Sequence, residues 1–352
     1  MNNLQGFSFE EKQLLRATII PYEETNRLEN FYPITMCSIH QHIVWRELHH
    51  TPFTAAFFSD TLATQAIEQR RICITPFSVL QDLFPNNPNS PRVHSLEPSG
   101  FIFHTSRCGS TLITQMLASL DSCIVMSEPP ILDAVFRFLH VNPQLTGKEA
   151  LIKQLIDTLG RQRSSKEKHF FIKFDSWHVA WIPLIRKIYP HTPIVFLYRE
   201  PAQVLASHQK QRGPQMIPHF VNLSALQPNT SDIHPSDLDA YCLRMQLSFY
   251  QTVLAYIAEF AHLKLDHTTD YAAISLINYS QLPHVMWEKL TSLFSMHLSE
   301  VEIHQIIARA SFHSKNPQQS FTKDTYIKTN HPEYEQTQKS YLQLEEFRIS
   351  NT

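Results

Sequence analysis

Residues 101–117 read Phe101-Ile-Phe-His-Thr-Ser-Arg-Cys-Gly-Ser-Thr-Leu-Ile-Thr-Gln-Met-Leu117. The apolar run that ends at Thr105 predicts a strand, the polar residues after it a turn, and the apolar periodicity from Ser110 onward a helix. A strand–turn–helix of this kind aims several backbone N–H groups and the positive end of a helix dipole at one point, where an anion such as phosphate can sit. Arg107 and the hydroxyls of Ser106, Ser110 and Thr111 add charge and donors to the same loop, with Cys108 and Gly109 between them. No Gly-Lys-Ser/Thr triplet follows Gly109, so this phosphate loop is not the nucleoside-triphosphatase version. The chain has six glycines in 352 residues, far below the usual share of about 7%. A glycine spent at position 109 points to a backbone that approaches an anion closely or adopts positive φ.

A second stretch, residues 193–209, reads Pro193-Ile-Val-Phe-Leu-Tyr-Arg-Glu-Pro-Ala-Gln-Val-Leu-Ala-Ser-His-Gln209. Its apolar run ends in Arg199, and Pro201 takes the first-turn position of a new helix. Ser207 follows Arg199 by eight residues, about two helical turns, which returns it close to the same side. An arginine at a strand end and a serine on the next helix can hold one phosphate together.

Between and around these stretches the pattern alternates in the α/β manner. Strands are predicted near 101–105, 123–126, 169–174, 193–198 and 274–278. Helices are predicted near 110–120, 130–140, 148–160, 178–189, 201–211, 236–263, 282–295 and 298–310. Uninterrupted apolar strands imply a parallel sheet covered on both faces. Residues 1–97 read as a mainly helical N-terminal extension, with helices over Ser8–Thr18 and Thr54–Arg70 and a short apolar run at Ile43–Trp45. The stretch from Phe84 to Pro91 is rich in Pro and Asn and reads as a linker. Residues 98–312 form the expected phosphate-loop domain, and the polar residues 313–352 read as loop.

The two stretches, in this order and on two predicted strands, resemble the sulfotransferases that use 3′-phosphoadenosine 5′-phosphosulfate. Ser106-Arg107-Cys108-Gly109-Ser110-Thr111 looks like the loop that cradles the 5′-phosphosulfate in that family, with Arg107 where many members carry Lys. Arg199 and Ser207 match the residues that hold the 3′-phosphate, and the similarity spans about residues 98–310. It implies a P-loop-type α/β fold, the phosphosulfate nucleotide as co-substrate, no metal, and transfer of a sulfuryl group to a hydroxyl or amine. Such chemistry needs cations near the leaving phosphate and the sulfuryl oxygens, and a base near the acceptor.

Arg107 suits the first role, being fixed in charge and able to fork across two oxygens. Lys173 interrupts the apolar strand Lys168-His-Phe-Phe-Ile-Lys-Phe-Asp175, where an unpaired buried ammonium is costly, so it is expected to reach an anion. Cytosolic members of the family end the corresponding strand in Lys-x-His; here Asp175 stands where the histidine would be. Asp175 reads either as the proton acceptor or as the cap of the following helix. Glu128, in Ser127-Glu128-Pro129-Pro130, is the preferred base, since some family members place a glutamate at a similar point; it reads otherwise as an acid at a helix start. The family's C-terminal Arg-Lys-Gly clamp is absent. Lys315 and Lys323 lie in the right region, which makes 313–325 a candidate lid, with solvated surface lysines as the plainer reading.

Composition narrows the field further. With 43% hydrophobic residues, the chain can bury a large core. Basic and acidic residues number 30 and 32, so no global field recruits nucleic acid or an anionic membrane. Five scattered cysteines lack metal spacing and argue for a reducing compartment. No signal-peptide pattern opens the sequence and no apolar run spans a bilayer, so a cytoplasmic enzyme is expected. His40 and His42, on a presumed strand, lack a carboxylate or cysteine partner at metal spacing. Two other functions stay open. One is a P-loop kinase, for which the strand before Asp175 would serve the magnesium site. The other is a nucleotide-binding protein that keeps the fold without the chemistry.

Overall fold

A computed structural model describes residues 12–13, 15–84, 94–265, 272–312 and 329–351. Contacts divide the chain into two compact units, one of Met1–Pro98 with Asp121–Phe170, the other of Ser99–Leu120 with Phe171–Thr352.

The first unit contains a four-stranded sheet made of β1 (Thr18–Ile19), β2 (Phe31–Cys37), β3 (His42–Glu47) and β4 (Arg71–Pro76), in the order β1-β4-β3-β2. β2, β3 and β4 pair antiparallel, and β1 joins β4 in parallel. The only helical pieces of the described N-terminal residues are short ones, chiefly α1 (Phe58–Ala63) and α2 (Val79–Leu83). This corrects the expected mainly helical extension. The physical reason lies in β2, Phe31-Tyr-Pro-Ile-Thr-Met-Cys37, which is buried along its whole length and so shows no alternation of apolar and polar residues. Pro33, which argues against a strand, is tolerated because β2 is the last strand of the sheet and its register shifts between Pro33 and Thr35. His40 lies in the turn between β2 and β3 rather than on a strand.

The same unit carries α4 (Pro130–Val141) and α5 (Lys148–Leu159), both packed on β2. Arg161, 3% exposed, donates to the carbonyls of Leu28 and Phe31. Those contacts help hold Asn26, Arg27 and Leu28, three consecutive non-glycine residues with φ of 45°, 57° and 61°.

The second sheet has five strands, all parallel, flanked by helices: β5 (Pro98–His104), β6 (Cys123–Ser127), β7 (His169–Lys173), β8 (Ile194–Tyr198) and β9 (Ile274–Asn278), in the order β6-β7-β5-β8-β9. Each falls where the sequence predicts a strand. Phe101 pairs with Ile194, and His104 with Leu197, across β5 and β8. Phe103 has no exposed surface and stacks on Phe174, ring centroids 4.4 Å apart. The longer helices of the second unit's described residues are α3 (Ser110–Ala118), α6 (Ile182–Ile188), α7 (Pro201–Lys210), α8 (Leu238–Leu265), α9 (Glu300–Ala310) and α10 (Tyr334–Ser350). On α8, Tyr241, Met245, Phe249, Val253 and Tyr256 are buried, as core packing requires.

Helix α10 corrects the reading of 313–352 as loop. It packs on α7, α8 and β9. Its buried face is Thr337, Ser340 and Leu344, too polar to show the apolar stripe by which a helix is read from sequence. Lys315, Lys323 and the candidate lid 313–325 lie outside the described residues. Among the described residues, no helix is long and apolar enough to cross a membrane.

The burial pattern generates a stability prediction. Phe103→Ala should cost about 3–5 kcal/mol in urea unfolding, whereas Ile19→Ala, at a residue 63% exposed, should stay within about 0.5 kcal/mol.

Candidate functional site

In a parallel sheet the strands deliver their following loops to one edge, where α/β folds place ligand-binding groups. In the second unit these are the loops after β5, β7, β8 and β9.

The loop after β5 leaves the sheet at Thr105, whose N–H still donates to the Leu197 carbonyl at 3.1 Å. Ser106, Arg107 and Gly109 then take φ of 67°, 50° and 84°. A run of left-handed residues curls successive N–H groups around a concavity suited to an anion. The amides at the start of α3, which follows directly, have no acceptors within the helix. Two contacts fix the curl. Ser106 N–H donates to His104 Nδ1 at 2.9 Å, which places the imidazole proton on Nε2. Gly109 lies so close to the loop after β9 that a Cβ there would stand 2.2 Å from Leu282 Cδ1 and 3.1 Å from Tyr279 Cδ2. Gly109 is therefore required both by its backbone angle and by its neighbours. Cys108 contributes backbone only, its side chain being fully buried. Burial pushes its thiol up, but hydrogen bonds with His104 and Thr105 offset this and draw it below the usual thiol range.

Lys173, at the end of β7, is fully buried, and its Nζ lies 3.3 Å from Thr111 Oγ1 on the first turn of α3. The strand lysine and the loop after β5 are thus joined through a hydroxyl. Ser110 and Thr111 are buried with it, and Ser106 is half-buried.

Arg199, which follows β8, is 4% exposed. Its Nε donates to Gln203 Oε1 at 3.0 Å, and its guanidinium lies 4.0 Å from the centroid of the Tyr279 ring. One of its terminal nitrogens donates to the carbonyl of Arg107 at 3.2 Å, and Tyr250 OH donates to the carbonyl of Arg199 itself at 2.7 Å. Arg107 in turn donates to the carbonyl oxygen of Gln211 at 2.5 Å; partial burial draws its pKa down. Gln203 and half-buried Ser207 are four apart on α7, and Gln211 follows the helix as its extended cap residue. Arg199 meets the Gln203 side chain, and Arg107 meets the backbone carbonyl of Gln211. The two arginines, ninety-two residues apart in the chain, are thus joined by the hydrogen bond from Arg199 to the Arg107 carbonyl, and each also contacts α7 or the residue that ends it.

The two candidate bases have different settings. Asp175 occupies the cap position of the short helix Ser176–Trp181, yet its carboxylate makes no capping hydrogen bond. It lies instead 3.6 Å from Nδ1 of His178, a fully buried imidazole. Glu128 belongs to the first unit, where it directly follows β6, half-buried and with φ of 53°, a costly angle for a glutamate.

Sequence reading overlooked His104 as the residue that shapes the loop, and Tyr279, which both stacks on Arg199 and abuts Gly109. Tyr279 opens a short turn capped by Asn278, whose Oδ1 accepts from Ser280 N at 2.8 Å. The only signal for it was an aromatic residue directly after the last apolar strand, which is weak. No protein-family model matches the sequence, and no characterised protein matches it.

Gly109→Ala should lower stability by about 1–3 kcal/mol, from positive φ and from the contact with Leu282. Adding Leu282→Ala should remove the steric share while leaving the dihedral share, so the melting temperature of the double variant should exceed what additive losses predict.

Proposed function

We propose that this chain transfers a sulfuryl group from 3′-phosphoadenosine 5′-phosphosulfate to a hydroxyl or amine of an acceptor. The observation that carries this reading is the hydrogen bond from Arg199 to the Arg107 carbonyl, which ties the strand-end arginine to the phosphate loop. A ligand held by both loops needs two anionic ends a short distance apart, and a nucleotide phosphorylated at 5′ and 3′ supplies them. The residues fit such a group. The left-handed residues 106, 107 and 109 curl the loop's backbone into a turn suited to an anion, and a buried lysine stands at its helix start.

In this reading the 5′-phosphosulfate sits in the loop 106–111, with Arg107 and the α3 amides around the phosphate and Lys173 beside Thr111. Arg199 and Ser207 hold the 3′-phosphate. The acceptor oxygen or nitrogen attacks sulfur in line as the bond from sulfur to the phosphate oxygen breaks, and adenosine 3′,5′-bisphosphate leaves. Cations matter most where charge grows on the departing phosphate, which is the role of Arg107. The acceptor's proton passes to a carboxylate, Glu128 or Asp175. The Asp175–His178 contact supports the second, because a neighbouring imidazole orients the carboxylate and keeps it from capping the helix.

Calorimetric titration with adenosine 3′,5′-bisphosphate tests the assignment. Arg107→Ala and Arg199→Ala should each weaken binding roughly a hundredfold, the worth of charge-assisted contacts to phosphate. Unchanged binding in both variants refutes it, and magnesium-dependent turnover of ATP would replace it by the kinase reading. Normal nucleotide binding without transfer to any of a panel of phenols, sugars and amines marks a binding protein.

Glu128→Gln and Asp175→Asn separate the bases. The true base should lose at least about a hundredfold in kcat with nucleotide affinity unchanged, while the other variant retains its rate.

A further inference from the structure

Helix α10 presents Tyr334, Thr337, Tyr341 and Glu345 at steps of three and four, hence on one face. That face reaches the surroundings of Arg199 at three points. Tyr198, immediately before Arg199, donates to Glu345, which Arg348 also holds at 2.9 Å. Asn278, which caps the turn bearing Tyr279, donates from Nδ2 to Tyr341 OH at 2.9 Å. Glu200, immediately after Arg199, accepts from Tyr334 OH at 2.5 Å. The helix is anchored independently of these contacts, by Thr337 Oγ1 on the Leu243 carbonyl at 3.2 Å and by the Arg244–Glu333 ion pair at 2.8 Å.

Glu200 is the residue whose chemistry needs an explanation. A carboxylate directly after an arginine is a ready counter-ion for it, and an arginine already neutralised holds a phosphate poorly. In this fold the carboxylate is engaged elsewhere. Oε2 accepts the Gln203 N–H at 3.0 Å and caps α7, while Oε1 takes the Tyr334 hydroxyl. Both oxygens are thus oriented by groups other than the neighbouring guanidinium, and one of those groups comes from α10, more than a hundred and thirty residues away.

We infer that Tyr334 is a positioning residue that keeps Glu200 as the cap of α7 and so prevents it from becoming the counter-ion of Arg199. The inference rests on the nucleotide reading above, because it assigns Arg199 a phosphate to hold. It gives α10 a role in recognising the 3′-phosphate without touching it. Removing the Tyr334 hydroxyl frees Oε1 to turn toward the guanidinium, and the released carboxylate then competes with the phosphate for the same cation.

The test compares affinities for adenosine 3′,5′-bisphosphate and adenosine 5′-phosphate, whose ratio isolates the 3′-phosphate. Tyr334→Phe should lower that ratio about tenfold, the scale of one charge-assisted contact, with affinity for adenosine 5′-phosphate unchanged. Adding Glu200→Gln, which cannot neutralise Arg199, should restore the ratio. A merely structural role for Tyr334 would weaken both ligands together and would gain nothing from Glu200→Gln. If Tyr334→Phe fails to fold, Glu200→Asp reads the same point, since the shortened carboxylate loses Tyr334 and stays beside Arg199. It should show the same fall. A normal ratio in the variant, or a lowered ratio that Glu200→Gln leaves lowered, overturns the inference alone. A wild-type protein that does not distinguish the two nucleotides overturns the nucleotide reading from which it starts.

Discussion

A guanidinium that is 4% exposed is an expensive thing to build, because water no longer stabilises its charge. Arg199 meets this cost with an aromatic face beneath it, a glutamine on the next helix and the carbonyl of Arg107. The last of these is the contact on which the rest of the second unit's carboxyl edge depends. It fixes the loop after β5 relative to the strand-end turn, and it needs the loop to present a carbonyl, which the left-handed residues 106 and 107 make possible. Tyr279 serves both partners, stacking under Arg199 while closing against Gly109. Arg199, Arg107, Tyr279 and Gly109 are thus linked by direct contacts, so substitutions among them are expected to be non-additive.

The five parallel strands and their helices were legible because each strand is an apolar run long enough to stand out and is bounded by residues that stop it. The site was legible where chemistry forces residue type. A lysine within Phe170–Phe174 has no apolar explanation, and it does meet Thr111. An arginine after Tyr198 with a proline two residues on marks a strand end and a helix start, and both are found there. Asp175 shows the limit of such reasoning. Its position as a helix cap was readable, yet the carboxylate turns to His178, a choice made by burial of the imidazole and invisible in spacing.

What was missed shares a cause. The strands β2 and β3 and the helix α10 are held by side chains that combine apolar bulk with a polar end, such as Tyr32, Trp45, Tyr334 and Tyr341. Trp45 is fully buried while its indole N–H donates to Thr75 at 2.8 Å. Periodicity counts these residues ambiguously, and Pro33 further disguises the strand that carries it. Such elements are specified by distant partners, and partners are what a single sequence does not display.

The order of elements along the chain has a consequence for biogenesis. Domains form as the polypeptide emerges, earlier segments first. The loop after β5, Lys173 and Arg199 all precede α10, which is the last helix among the described residues. A nascent chain that already displays those cations still lacks the tyrosine whose hydroxyl engages Glu200 in the folded chain. Completion of the surroundings of Arg199 is therefore a late, tail-end event, and truncated translation products would carry the two stretches without their finished surroundings.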